Sequence, residues 1–359
     1  MRILFLNQYF PPDPAPTGVL FREVADECER AGHTVDFVDA AQDYRGGQQV
    51  GGRMKRELAA LNRMWRAGES RERADVVVSG SSPPCLAVIA DRVARKHRAR
   101  HIHWAMDVYP EIAVELGEVR RASLISKLTG WMMGRAYRRC ANVVALDADM
   151  ATRLRKYGVE PVCIRPWVPK AVLDRPTPDV QPDGEWTWIY SGNLGRAHEW
   201  ETLLRAQQLI EQRGVDARLV FQGGGPSWPL AKARAAELGL QRCEWRGYAE
   251  EGELSASLLR SQVLVVSQLP SVQGLLWPSK LALVMSLPRA ILFVGPVDGA
   301  IAGELRRFPH AGIFAPGDAS AVADWIAARR HGGEIGMPLD ARAHRADALA
   351  TWGRMVAGE

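Results

Sequence analysis

Lys280 stands in Gly274-Leu-Leu-Trp-Pro-Ser-Lys-Leu281, where ordinary helix electrostatics disfavours a cation. Pro278 suits the first position of a helix running through Leu281, Leu283, Val284 and Met285, which puts Lys280 in the first turn beside the helix's partial positive charge. The placement makes sense if an anion sits between the ammonium and the free backbone N–H groups, as in phosphate sites. Arg196 repeats the pattern: it follows the glycine turn Tyr190-Ser-Gly-Asn-Leu-Gly195 and precedes a helical stretch from Glu199 to Ile210. A second glycine turn, Phe221-Gln-Gly-Gly-Gly-Pro226, also leaves a strand-like run and enters a helical one. Glycines at such junctions allow tight turns and let a ligand approach the main chain.

Asp107 closes a strand-like run just before Val-Tyr-Pro. Its carboxylate can act as a base or orient a hydroxyl, or it can simply cap the turn. His101 and His103 have period-two spacing and share one strand face; with no third ligand nearby, a buried, hydrogen-bonded pair is expected rather than a metal site. Cys28, Cys85, Cys140, Cys163 and Cys243 lack the paired spacing of a zinc site, a redox motif or a disulfide framework. Trp228, Trp245 and Trp277 are read as packing residues.

The elements that must position these groups alternate between short β-rich runs and helical stretches, the pattern of parallel sheets flanked by helices. At 359 residues the chain fits two domains. Strands are expected at Ile3–Leu6, Thr34–Val38, Val76–Val78, His101–Ala105, Val143–Leu146 and Val162–Ile164, with a helix at Val19–Arg30. A second series follows at Thr187–Tyr190, Arg218–Phe221, Val263–Val266 and Ala290–Phe293. The expected division is residues 1–168, a linker at 169–184 rich in proline and aspartate, 185–335, and a C-terminal helical segment, 336–359, returning to the first domain.

Composition narrows the function. Apolar residues at 47% with 24% charged describe a soluble globular chain; no window is long and apolar enough to span a bilayer, and Met1 leads straight into a strand without a signal peptide. A cytoplasmic protein is expected, peripheral at the inner face of the membrane. Residues 1–170 carry 27 Lys+Arg against 20 Asp+Glu, and the rest 19 against 21, so the basic excess belongs to the first half. It concentrates at 53–73, 92–100 and 120–139, the last embedding Trp131-Met-Met133, a mixture suited to an anionic membrane surface. No nucleic-acid motif is present, and neither half begins with the G-x-G-x-x-G turn of a dinucleotide enzyme.

The ordered set Gln8-Tyr-Phe-Pro-Pro12 with Gly18, Ala31-Gly-His-Thr-Val35, Ser81-Ser-Pro-Pro84, Asp107-Val-Tyr-Pro-Glu111, Tyr190 to Gly195, Gly223 to Pro226, Gly247-Tyr248 and Pro278-Ser-Lys280 resembles glycosyltransferase family 4. It is most similar to the bacterial branch that builds surface polysaccharides, such as the colanic-acid and N-acetylglucosamine transferases.

The resemblance implies an α/β GT-B fold, two Rossmann-like doubly wound domains facing across a cleft. It implies a nucleotide diphosphate sugar held by the second domain and an acceptor on the first. The loop around Gly18 would approach the donor. Gly192, Asn193, Gly195, Arg196, Gly223, Gly224, Gly225, Ser279 and Lys280 would line the donor site, with Arg246 and Tyr248 near the base. Asp107 would serve the reacting centre and Tyr109 and Glu111 the acceptor. Three departures stand out: Leu283 replaces the family's ribose-binding glutamate, Pro288 and Ala290 its following glycine and proline, and Met106 its histidine.

The activity so implied is retaining, metal-independent transfer of a hexose or N-acetylhexosamine from a nucleotide diphosphate sugar, a UDP-sugar foremost, to a lipid-linked or membrane-proximal glycan. No cofactor or metal is expected. Two other readings stay open: a nucleotide-sugar epimerase on the same scaffold, and a non-catalytic partner subunit of a transferase.

Overall fold

The computed structural model describes residues 1–13, 15–40, 53–176, 180, 184–250, 252–332 and 335–359. It divides into two compact units. The first holds Met1–Pro169, Gly274–Trp277 and Ala343–Glu359; the second holds Lys170–Gln273 and Pro278–Arg342. Residues 177–179 and 181–183 of the expected linker lie outside the described residues.

Among the described residues, the first unit contains six parallel strands: β1 Arg2–Leu6, β2 Thr34–Val38, β3 Val76–Ser79, β4 Arg100–Trp104, β5 Asn142–Ala145 and β6 Val162–Cys163. Their order across the sheet is β2-β1-β3-β4-β5-β6. Ile3 to Leu6 and Val76 to Val78 are buried throughout, because a parallel sheet covered by helices on both faces needs continuous apolar strands. The helix Pro16–Arg30 begins three residues before its expected start, with a proline in its first turn. The helices Ala148–Arg155 and Leu124–Tyr137 are capped by the side chains of Asp147 and Ser123, which accept from Met150 N and Ser126 N at 2.7 and 3.1 Å.

The centre of this unit is aromatic. Trp104 lies 4.9 Å from Phe21, 4.7 Å from Trp352 and 5.7 Å from Trp167, ring centre to ring centre. Trp352 comes from the C-terminal helix Ala341–Ala357, and Arg345 of the same helix donates to Glu23 at 2.7 Å. Glu23 also accepts from Trp167 Nε1 at 2.8 Å, so this buried carboxylate is both paired and hydrogen-bonded.

The second unit repeats the architecture with β7 Thr187–Asn193, β8 Arg218–Gly224, β9 Cys243–Arg246, β10 Val263–Ser267, β11 Ala290–Val294 and β12 Ala311–Phe314, all parallel, in the order β12-β11-β10-β7-β8-β9. Two of these, β9 and β12, were not expected from the sequence. They are the sheet's two edges, short and only partly buried, and so lack the continuous apolar run that marks the interior strands. Both sheets place their loops and helix starts at the carboxyl ends of the strands, where open α/β sheets bind ligands.

Candidate donor site

In the second unit the glycine turns follow β7 and β8, whose register sets Gly192 opposite Gly223 and Asn193 opposite Gly224. Gly223 has φ +131°, and a side chain there would collide with the Gly192 carbonyl. Glycine at this position lets two strand ends approach more closely than any side chain permits. Leu194 N donates to Gly224 O at 2.6 Å and Gly195 N to Asn193 O at 3.0 Å. Those two amides are therefore engaged within the turn. Gly225 continues from β8, while Arg196 lies exposed in the turn after Gly195. The helix that follows starts at Glu201 rather than Glu199. Glu199 instead accepts from Thr202 N at 2.7 Å, capping the helix from outside it.

Lys280 is not in the first turn of a helix begun by Pro278. The helix is Leu281–Ser286, and Lys280 is its N-cap, with Val284 N donating to the Lys280 carbonyl at 3.0 Å. Leu281 N donates to Pro278 O at 2.9 Å, so Pro278 and the exposed Ser279 form the turn that leads in. The residue as a whole is half-buried, but its ammonium nitrogen is shut off from solvent and has no hydrogen-bond partner among the described residues. Nζ lies 3.0 Å from the centre of the Tyr190 ring and against Gly192, where a built Cβ would stand 3.9 Å away. Burial pulls the Lys280 pKa well below the ordinary lysine value, because the desolvated ammonium has no hydrogen-bond acceptor or carboxylate beside it among the described residues.

His198 and Ser267 complete the site, and neither was singled out from the sequence. His198 packs edge-on to Tyr190 with ring centres 5.6 Å apart, and its Nδ1 lies 3.0 Å from the Ser267 carbonyl. A carbonyl can only accept, so Nδ1 carries the proton and Nε2 is left as an acceptor when the ring is neutral. Burial, and next the charge of Lys280, lowers the His198 pKa to about 4, which keeps the ring neutral at pH 7. The signal for His198 was its place three residues beyond Gly195, in the turn already marked by Arg196.

Tyr248 is 57% exposed and its ring edge lies beside Gly224, 3.1 Å from a built Cβ. Arg246 is exposed at the end of β9 and forms a two-point pair with Glu244, at 2.6 and 2.9 Å.

In the first unit, Gly18 is not on a loop: it lies within the helix Pro16–Arg30, and a Cβ would come within 2.6 Å of the Tyr9 carbonyl. The helix thus packs directly on the Tyr9-Phe10 main chain. Asp107 follows β4; its N–H donates to Ser81 Oγ at 3.0 Å and it bridges Leu276, while Val108 N donates to Leu275 O at 3.0 Å. Its carboxylate makes no hydrogen bond among the described residues, and burial raises its pKa to about 6. Tyr109 is half-buried. Glu111 opens the helix Glu111–Glu115 and accepts from the Tyr157 hydroxyl at 2.6 Å. His101 and His103 are buried and share Ser79 Oγ, at 2.8 and 2.9 Å, as a hydrogen-bonded pair. Among the described residues no group of three or more His, Cys, Asp or Glu side chains is placed to hold a metal ion. None of their helices is long and apolar enough to cross a membrane.

Residues 17–169 match the model of Glycosyltransferase Family 4. A probable glycosyltransferase, WbjE of Pseudomonas aeruginosa, is 26% identical over 232 residues, 62% of this chain. The match spans 58% of that relative's length. Among solved structures, sucrose-phosphate synthase from Thermosynechococcus elongatus superposes with a TM-score of 0.66 at 14% identity, covering 99% of this chain and 95% of that one. Anabaena HepE in complex with UDP-glucose superposes at 0.63 and 12% identity, covering 100% and 98%. The fold is GT-B, and the resemblance to glycosyltransferase family 4 read from the motifs is borne out.

Proposed function

We propose that this chain, GT-B in fold and matching glycosyltransferase family 4 over residues 17–169, is a retaining, metal-independent hexosyltransferase. It moves a hexose or N-acetylhexosamine from a UDP-sugar to a lipid-linked or membrane-proximal glycan. The observation that carries this reading is the Lys280 ammonium, buried without a partner beside the glycine turns. A buried amine with a depressed pKa and unused donors is set to take up a proton and pair with an arriving anion.

The difficult step is departure of the nucleoside diphosphate, which accumulates negative charge as the glycosidic bond breaks. Preorganised cations in a site closed to water stabilise that charge more than water does. Lys280 and Arg196 fill this role, with His198 Nε2 accepting a hydrogen bond from a hydroxyl of the donor. The acceptor hydroxyl attacks from the face the diphosphate leaves, and the leaving phosphate or Asp107 takes its proton. This same-face course is the one that the resemblance to glycosyltransferase family 4 implies. Recognition of the ribose, with Leu283 in place of a glutamate, falls to another group. The choice of uridine is supported by the UDP-glucose bound in HepE.

A thermal-shift titration with UDP, GDP, ADP and dTDP, each with and without EDTA, tests the donor half, because a ligand that binds only the folded state raises its melting temperature. UDP should raise it equally in both conditions. Silence toward all four would overturn the reading in favour of a non-catalytic partner, and conversion of a UDP-sugar to its epimer with no acceptor present would replace it with an epimerase.

A further inference from the structure

The helix Leu124–Tyr137 buries one face and leaves an apolar ridge on the other. Ser126, Met133, Gly134, Ala136 and Tyr137 point into the first unit. Leu124 is 81% exposed, Ile125 58%, Leu128 53% and Trp131 60%. At 100° per residue Leu124, Leu128 and Trp131 form a single row opposite the buried face, with Ile125 on its flank. Scattered exposed apolar side chains are ordinary, but four within about two turns of one helix form a contiguous patch that marks an interaction surface. The Trp131-Met-Met133 cluster noted in the sequence is thereby resolved: Trp131 belongs to the ridge, while Met133 is core.

The charges around the ridge identify what covers it. From Val119 to Leu146 the chain has Arg120, Arg121, Lys127, Arg135, Arg138 and Arg139 and no acidic residue. Arg121 pairs with Glu115 and Arg139 with Asp91, whereas Arg120 and Lys127 form no ion pair among the described residues. Arg135 lies over the Trp131 ring at 5.8 Å, an arrangement that lets the guanidinium reach headgroups while the indole sits at the acyl boundary. We propose that this ridge is a bilayer-docking surface, with Leu124, Leu128 and Trp131 inserted and Arg120, Lys127 and Arg135 on anionic lipid headgroups. A protein partner would have to supply a groove of matching negative charge. An anionic bilayer presents apolar depth and surface charge together, without specific shape. This rests on the reading that the acceptor is membrane-borne, and it gives that reading a place on the chain.

The test is co-flotation of the full chain with phosphatidylcholine vesicles, with and without phosphatidylglycerol. The wild type should float with the anionic vesicles only. Leu128→Ser with Trp131→Ser, and separately Arg120→Glu with Lys127→Glu, should each lower that binding by about tenfold or more. Both pairs should keep the wild-type melting temperature and UDP response, since the altered side chains are exposed and belong to the first unit, whereas the donor-site residues belong to the second. Equal flotation of the variants, or no flotation of the wild type, would overturn the proposal. So would a dimer in solution that the serine pair dissociates, because a second copy would then be the occupant. Intact flotation with no UDP response would instead sink the transferase reading and leave the docking surface standing.

Discussion

The Lys280 ammonium sits 3.0 Å above the centre of the Tyr190 ring. An aromatic face offsets part of the desolvation of a cation, by about 0.5–2 kcal/mol, but satisfies none of its three N–H donors. The apo state is therefore under-paired at this point, and an arriving phosphate oxygen is stabilised by a group already desolvated for it. Lys280→Ala should then separate function from stability. Turnover should fall by about 10–100-fold, roughly 1.4–2.7 kcal/mol in the transition state. The melting temperature of the apo protein should hold or rise, because a buried unpaired charge has been removed. Unchanged kinetics would take Lys280 out of the site.

The same isolation predicts proton linkage. Burial holds the Lys280 pKa well below the lysine range in the apo protein. A bound diphosphate favours the charged form and raises it. Between the two values binding takes up a proton, so donor affinity should fall as pH rises through that interval and level off below it. Calorimetric titration of UDP in two buffers of different ionisation enthalpy measures the uptake directly. Identical apparent enthalpies across the interval would show that no proton follows the ligand.

The role of Tyr190 can be split into ring and hydroxyl. The hydroxyl donates to the Asn193 carbonyl at 3.1 Å, while the ring underlies Lys280 and meets His198. Tyr190→Phe keeps the ring, so it should cost about 0.5–1.5 kcal/mol of stability and leave the KM for donor nearly unchanged. Tyr190→Leu removes the surface that positions the ammonium and should raise the KM by about tenfold. Equal kinetics in the two variants would mean that the ring does not set the lysine's position.

How much of this was legible follows from which groups announce themselves locally. The interior strands were readable because Val76 to Val78 or Val263 to Val266 are apolar on both faces. The edge strands Cys243–Arg246 and Ala311–Phe314 were not, since an edge is half solvated. Lys280 stood out because a cation at a helix start contradicts the helix dipole, even though the helix proved to begin at Leu281, three residues after Pro278. His198 and Ser267 stayed silent: their relationship spans 69 positions and exists only because β10 pairs beside β7. Gly18 entered only through the family resemblance, in a loop expected to approach the donor; its place in a helix packed on the Tyr9 carbonyl was not legible.

Asp107 lies three residues beyond β4, with a carboxylate that has no hydrogen bond among the described residues and a pKa raised by burial to about 6. In the unfolded chain it titrates near 3.8. The folded state therefore holds the proton more tightly, and its contribution to stability is lost as pH rises from about 4 through about 6. Above that range the native state carries an unpaired buried charge, at a cost of about 1–3 kcal/mol. Asp107→Asn should accordingly raise the melting temperature at pH 7.5 by several degrees and leave it nearly unchanged at pH 3.5. If the carboxylate receives or orients the acceptor's proton, wild-type kcat/KM should climb as pH rises through about 6. Asp107→Asn should flatten that limb and depress turnover more than donor affinity. A variant that is less stable at pH 7.5, with activity in proportion to its folded fraction, would make Asp107 a structural cap of the turn instead.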